Sequence, residues 1–337
     1  MKTQHRTHMV FGTLGFLVCL LGALSLCIGS FPLSLSQIGV LLTGGLADTL
    51  EFRVFWTLRV PRTLMALLAG LGLGVAGGVY QTVFRNPLAS PDLTGVASGA
   101  SLGAACAIVL GAGGGFSVMS GAFLLGSVSL VLVLLLVRLT RMEQTVTYVL
   151  AGVMVSAAAD AGLMCLKIMA DPEHELAAIE LWTMGSLSAV TASKLWIPVP
   201  AVVLPLVLLL LLHRQAAILA LGEENARSIG LDPTLWRGIL LGLTTLMVAA
   251  LVSVTGVIAF VGLIAPHIAF QLLHRRAGPF LPLCALVGAV LLLAADLLAR
   301  SLSPGAELPL SIFTVLFAVP VLAGLLCGKR EVPHDAS

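Results

Sequence analysis

The hydrophobic pattern of the chain is a series of long apolar runs separated by short polar segments. A run of about 20 apolar residues is long enough to cross the hydrocarbon layer of a membrane as a helix. Such runs are centred near residues 20, 72, 103, 127, 157, 204, 247, 265, 290 and 318. They predict an all-α, polytopic membrane protein with about ten transmembrane helices, forming a single transmembrane domain over residues 1–337.

The apolar segment Ile239–Leu273 is too long for one crossing. It contains 35 residues, and a straight helix of that length would measure roughly 50 Å, against about 30 Å for the hydrocarbon layer. Arg237 precedes the segment, and Arg275 and Arg276 follow it. Because basic residues favour the cytoplasmic side, both ends of the segment belong on the same face. We therefore expect two spans with a break near Thr255–Gly256.

Lysine and arginine are distributed unevenly between the predicted loops. With a cytoplasmic N-terminus and ten crossings, twelve of the eighteen basic residues fall inside: Lys2, Arg6, Arg85, Arg138, Arg141, Arg214, Arg227, Arg237, Arg275, Arg276, Lys329 and Arg330. This asymmetry predicts that both termini are cytoplasmic. The other six lie on or near the outside: Arg53, Arg59, Arg62, Lys167, Lys194 and Arg300. The outer arginines at span ends either anchor the membrane interface or form a positive surface for an acidic partner.

Composition and missing motifs exclude several function classes. Hydrophobic residues make up 58% of the chain, charged residues 10%, and the net charge is +2 without a basic run, so no nucleic-acid partner is expected. The six cysteines lack ligand or disulfide spacing, so no metal site is predicted. The sequence contains no GxxxxGK[ST] loop and no HExxH motif. We expect a non-enzymatic chain, and any ATP that drives it would be bound by another polypeptide.

Acidic residues inside predicted spans are functional candidates, because a charge in the membrane is costly. Asp296 lies four residues before Arg300, so the two can pair on one helix face. Asp160 and Lys167 are seven residues apart on one face of another span, where they can pair or line a wet pathway. The alternative function to which these groups point is an ion-coupled secondary transporter using Asp160, Lys167 and Asp296.

The spacing of glycines predicts where helices pack closely. Glycines recur every four residues in two series, which predicts close helix packing in lipid: Gly70, Gly74, Gly78 and Gly95, Gly99, Gly103.

The segment 221–232, LGEENARSIGLD, lies in the predicted cytoplasmic loop 213–237. Glu223 and Glu224 are typical of a helix start and Gly230 of a helix end, so the loop should contain one or two short helices.

Eight stretches in order along the chain together resemble one family. They are LRVPR at 58–62, QTVFRNPLA at 81–89, LTGVASGA at 93–100, LAG at 150–152, LGEENARSIG at 221–230, FVGLIAPH at 260–267, AADLLAR at 294–300 and ELP at 307–309. This set is similar to the permease subunits of ABC importers for iron-siderophore complexes, haem and cobalamin, the FecCD-type or type II importers. The resemblance implies a ten-helix homodimer in the cell inner membrane, with the substrate path along its twofold axis.

The resemblance also implies partners and site residues. An external substrate-binding protein would dock on three outer arginines through bidentate contacts: Arg59, Arg62 and Arg300. Two ATPase subunits would contact coupling helices within 220–230, through Leu221, Gly222 as the bend, Glu223, Glu224, Arg227 and Gly230. The cytoplasmic gate would contain Asn86, Leu88 and Thr145, although EQTVT at 143–147 departs from the small polar run typical of the family.

The function implied by the resemblance is ATP-driven import of a bulky metal chelate. Iron-siderophore is the first expectation, with haem or cobalamin next. The chain itself would bind no cofactor, and ATP and Mg²⁺ would be used by the partner ATPase. Asp160 and Lys167 are unusual for a helix expected to line the path, and are candidate pathway residues.

Overall fold

The computed structural model describes residues 2–29, 31, 33–45, 49–111, 114–140, 145–196, 198–274, 278–302 and 307–327. Over this part of the chain the regular structure is helical, without a strand. The helices are α1 (Lys2–Cys27), α2 (Leu35–Leu42), α3 (Leu50–Val54), α4 (Val60–Val83), α5 (Val96–Val109), α6 (Gly115–Thr140), α7 (Thr145–Met169), α8 (Glu175–Thr183), α9 (Ala192–Leu195), α10 (Pro198–Leu211), α11 (His213–Ala220), α12 (Glu223–Ser228), α13 (Pro233–Thr255), α14 (Val261–Leu273), α15 (Phe280–Ser301) and α16 (Leu310–Cys327). A π-helical turn (Phe55–Arg59) joins α3 to α4, and a 3₁₀ turn (Pro91–Thr94) precedes α5.

Six of these helical segments are long and apolar enough to cross a membrane. They are His5–Cys27, Leu50–Val83, Gly115–Thr140, Val146–Met169, Pro233–Thr255 and Phe280–Ser301. The pair α10 and α11, bent by 58°, is a seventh candidate, and three shorter apolar helices lie in α5, α14 and α16. The described chain thus has six clear candidate spans, or seven if the bent pair is one span, and its apolar elements lie where the hydrophobic pattern predicts spans; the number ten stays a prediction. The fold class is that of a polytopic all-helical membrane protein.

The predicted break in the long apolar segment is present. Helix α13 ends at Thr255, and Gly256 follows with φ of +68°. A Cβ atom at Gly256 would overlap the carbonyl oxygen of Trp182, so both the conformation and the space favour glycine. Helix α14 begins after a short irregular segment. Arg275 and Arg276, on which the prediction partly rested, lie outside the described residues, as do Arg141, Lys329 and Arg330.

Both predicted glycine series include positions of close helix packing. A Cβ atom at Gly74 of α4 would overlap the backbone of Cys284 in α15, and one at Gly103 of α5 would overlap the backbone of Gly121 in α6. Small residues allow this approach of two backbones in lipid. The pair of α4 and α15 is thereby fixed in the interior of the bundle, where most side chains of both helices are buried.

Helix α4 connects the two polar regions of the molecule. Arg62 lies in its first turn and Arg85 just beyond its last, and 24 residues of helix correspond to about 36 Å. Near the inner end, the buried Tyr80 hydroxyl lies 3.1 Å from the Thr94 hydroxyl and 2.9 Å from the Thr245 hydroxyl. These bonds hold α4 to the 3₁₀ turn and to α13. The position of α4 therefore determines where both candidate sites lie.

Candidate functional site

The three arginines predicted to receive a binding protein lie together at the predicted outer face. Arg59 ends the π-helical turn before α4, Arg62 is in the first turn of α4, and Arg300 is in the last turn of α15. With Glu307 they line a cavity of about 210 Å³. The side chains of Arg62 and Arg300 are only 12% and 4% exposed, and Arg59 is also buried. A partner would have to reach these arginines through the cavity, since they do not lie on an open surface.

Arg59 is bound to the backbone at the end of α1. Its Nη1 donates to the carbonyl oxygens of Leu26 at 2.7 Å and Cys27 at 2.8 Å, and its Nη2 donates to the carbonyl of Phe31. The last carbonyls of a helix have no partner within the helix, so a cation is well placed there. Arg59 therefore caps α1 and joins it to the start of α4, a role that the sequence did not indicate.

Asp296 is the acid around which the other two arginines are arranged. The Arg62 Nε donates to Asp296 Oδ1 at 2.9 Å, and the Arg300 Nη2 lies 3.4 Å from Oδ2. The predicted pair of Asp296 and Arg300 is thus present, but the shorter contact is made by Arg62. The Nη1 of Arg62 also binds the Glu307 Oε1 at 2.5 Å, and the Nη2 of Arg300 donates to the Ser25 hydroxyl at 2.5 Å. Three arginines against two acids leave one positive charge in excess at this cavity.

The predicted coupling segment lies at the opposite end of α4. Gly222 separates α11 from α12 with φ of +110°, a conformation that favours glycine, and Gly230 follows α12 with φ of +79°. Leu221 is 67% exposed, and Glu224 and Arg227 are also exposed. This arrangement presents one apolar and two charged side chains at the surface, beside a sharp turn.

Glu223 differs from its neighbours because it binds inward. Its Oε1 accepts from the Arg237 Nη2 at 2.6 Å, and its Oε2 lies 3.8 Å from the Arg227 Nη2. The hydrogen bond from Arg237 is the main cause that lowers the pKa of the Glu223 carboxyl, and the charges of Arg237, Arg227 and Arg85 lower it further. The carboxylate is therefore held in its charged form by the surrounding arginines.

The predicted cytoplasmic gate lies beside the coupling segment. Arg85, with φ of +49°, precedes Asn86, whose Oδ1 accepts from the Leu88 N–H at 2.9 Å; Leu88 is exposed. A cavity of about 490 Å³ is lined by Arg85 and by residues 221–225 and 227. The corner after α4 and the coupling segment are thus adjacent. Thr145 begins α7, but its side chain and residues 143–144 lie outside what the structure describes.

The candidate pathway residues do not pair with each other. The Lys167 Nζ donates to Glu180 Oε1 of α8 at 2.8 Å. Asp160 is half-buried on α7, and within the described chain its carboxylate takes part in no ion pair or hydrogen bond. Asp296 is fully buried against Arg62 and Arg300. The three groups therefore do not form one proton or ion relay in the described structure, and no group of three or more potential metal-ligating side chains occurs among the residues described.

Several residues of these sites were missed at the level of the sequence. Glu307 belongs to a recognised stretch but had no assigned role, and Ser25 carries no signal of its contact with Arg300. Arg237 was counted only as a positive charge beside a span. In each case the partner is distant in sequence or lies across a helix boundary, so no local spacing could have identified the contact.

The described chain is an all-helical bundle with a cationic cavity at one face and two short exposed helices, α11 and α12, at the other. This is the organisation of a membrane transport subunit. The sequence model of the FecCD transport family matches residues 17–327, and the chain belongs to this family. The recognition made from the ordered motifs is thereby confirmed.

Relatives and a solved structure cover nearly the whole chain. The vitamin B12 import system permease protein BtuC of Citrobacter koseri is 37% identical over 82% of this chain and 83% of its own. The molybdate import system permease protein MolB of Haemophilus influenzae is 34% identical over 98% of both. A solved metal-chelate type ABC transporter in an inward-facing conformation is 33% identical, with a TM-score of 0.84 over 96% of this chain and 99% of that one.

Proposed function

We propose that this chain is the transmembrane permease subunit of an ATP-driven importer and forms the translocation path for a metal chelate. The observation that carries the proposal is the similarity, over almost the full length of both chains, to the metal-chelate type ABC transporter. The relatives named for vitamin B12 and molybdate import support the direction of transport. We expect a homodimer in the cell inner membrane, with two ATPase subunits that use ATP and Mg²⁺ and an external substrate-binding protein.

The two polar regions suit these partners. The outer cavity has one positive charge in excess, so an acidic side chain of a binding protein would be attracted to Arg62 and Arg300. The coupling segment exposes Leu221, Glu224 and Arg227 beside the gate corner, the turn after α4 that contains Arg85 and Asn86. An ATPase that moved this segment would act on the gate directly.

Iron-siderophore is our first candidate for the chelate, followed by haem and cobalamin. The family resemblance implies that α7 lines the substrate path. In this chain α7 exposes large apolar side chains along its length: Val146, Leu150, Met154, Met164 and Ile168. A bulky chelate can pass such a wall with few specific contacts. A small oxyanion such as molybdate would meet the carboxylate of Asp160 on this helix, while the Lys167 ammonium is held by Glu180.

Reconstitution in proteoliposomes tests this proposal. The permease, with the ATPase and the binding protein encoded beside it, is supplied with a ferric siderophore, haem, cyanocobalamin and molybdate in separate assays. We expect ATP-dependent uptake of one chelate. Uptake of molybdate alone would overturn the substrate class, and uptake driven by an imposed ion gradient without the ATPase would replace the importer with a secondary transporter.

A further inference from the structure

Glu223 and Glu224 are adjacent acids in the coupling segment, and the structure gives them different environments. The Glu223 carboxylate is directed at α13, where it receives the Arg237 guanidinium at 2.6 Å. Glu224 is exposed and takes part in no ion pair among the described residues. Two neighbouring acids of the same type therefore face opposite ways, one into this chain and one away from it.

The contact of Glu223 with Arg237 is a polar connection between α12 and the membrane bundle. The Arg237 side chain is only 6% exposed, in the first turns of α13, and a buried guanidinium needs an acidic partner. Helix α12 has six residues, too few to be stable on its own, so its position depends on tertiary contacts. Ala226, which is fully buried, supplies an apolar contact. The ion pair of Glu223 with Arg237 adds a contact of defined direction.

The other side of the same segment lies beside Arg85, and both line one cavity. A Cβ atom at Gly222 would lie 3.4 Å from the Arg85 Nη1, and Arg85 directly precedes Asn86 of the predicted gate. A displacement of α12 would therefore reach α13 through Arg237 and the gate corner through Arg85. Loss of the Glu223 contact would weaken the connection between α12 and α13, which would then depend on the apolar contact of Ala226 and on the short chain between the two helices.

We propose that Glu223 and Arg237 are positioning residues that lock α12 to α13, so that movement of the ATPase is transmitted into the membrane helices. Glu224 is the acid that faces the ATPase. This inference rests on the proposed function, and it separates two residues that the sequence assigns to the same surface.

The test compares Glu223→Gln and Arg237→Gln with Arg138→Gln, which removes an exposed positive charge at the end of α6. The complete transporter is assayed in proteoliposomes with a radioiron-labelled siderophore, or with labelled cobalamin if the wild type imports that chelate. We expect ATPase binding to remain and the thermal midpoint to fall, because Arg237 loses its acidic partner, while ATP hydrolysed per chelate imported rises about tenfold, as for the loss of one charge-assisted hydrogen bond. The charge swap Glu223→Arg with Arg237→Glu should restore most of the coupling.

Hydrogen–deuterium exchange of the permease supplies a readout that needs no substrate. We expect faster exchange of the α12 amides in Glu223→Gln and Arg237→Gln, and no change in Arg138→Gln. Unchanged exchange and an unchanged ATP-to-chelate ratio would overturn the inference, and so would loss of ATPase binding in Glu223→Gln, which would make Glu223 a contact residue. If the wild type shows no ATP-dependent import, the proposed function fails, while the exchange data still decide whether the ion pair positions α12.

Discussion

Replacing Asp296 with asparagine removes the central acid of the outer cavity and leaves the arginines in place. Asp296 is fully buried, 2.9 Å from the Arg62 Nε and 3.4 Å from the Arg300 Nη2. Breaking a buried ion pair costs about 3–5 kcal/mol, because the remaining charge stays buried without compensation. Arg62 keeps Glu307 as a partner at 2.5 Å, so we expect the lower end of that range, about 3 kcal/mol.

The matched control is Glu307→Gln at the rim of the same cavity. Glu307 is 34% exposed, and a solvent-accessible pair contributes about 1 kcal/mol or less. The thermal midpoint of the detergent-purified permease measures both variants. We expect Asp296→Asn to lower the midpoint by roughly 5–10 °C, and Glu307→Gln to lower it by about a third as much or less. Equal shifts, or a larger shift in Glu307→Gln, would refute the assignment of Asp296 as the main counter-ion.

Three further predictions follow from the packing, the coupling segment and the proposed docking site. Gly74→Val should destabilise the contact of α4 with α15 by about 3 kcal/mol or more, because the new side chain would overlap the α15 backbone; the yield of folded, monodisperse protein measures this. The lowered pKa of Glu223 means that its bond to Arg237 stabilises α12 at neutral pH and is lost as the pH falls through that lowered pKa, so the protection factors of the α12 amides, corrected for the slower intrinsic exchange in acid, should fall on acidification. Charge reversal at Arg59 and Arg62 should abolish uptake; because it also removes the Arg59 cap of α1 and the Arg62–Asp296 pair, dimer assembly is measured in the same sample.

Each of these predictions has a control in the same chain. Gly22→Val places the same side chain at a glycine of α1 with no neighbour within 4 Å, and should leave the yield unchanged. Glu223→Gln should remove the acid-dependent part of the α12 exchange, and a persisting acid dependence would point to another group. Arg53→Glu reverses an exposed arginine on the same predicted face. Normal uptake in the double charge reversal, or equal loss in Arg53→Glu, would contradict a specific docking role.

The fold could be predicted from the sequence because its determinants are local and periodic. The length of the apolar runs reports membrane spans, and the excess length of Ile239–Leu273 indicated a break, which the structure places after Thr255. Glycines at every fourth position predicted close packing, and α4 meets α15 at Gly74. These features depend on distances along one helix, which the sequence contains directly.

The partners within the sites could not be predicted because they come from distant segments. Asp296 and Arg300 are four residues apart and were visible as a pair, whereas Arg62, the closer partner, is 234 residues away. Arg59 binds carbonyls at the end of α1, and backbone carbonyls have no sequence signature. Glu223 and Glu224 have the same side chain, so only the packing of α12 on α13 distinguishes them.

Uptake by complexes reconstituted with different subunits tests whether this chain is the permease of an ATP-driven importer. Proteoliposomes are prepared with the permease alone, with the ATPase, and with both the ATPase and the binding protein, and chelate uptake is followed with and without ATP. We expect uptake only when all components and ATP are present, and an ATPase variant that cannot hydrolyse ATP should abolish it. Uptake by the permease alone, or uptake that follows an ion gradient and is independent of ATP, would show that the chain is not the permease of an ATP-driven importer.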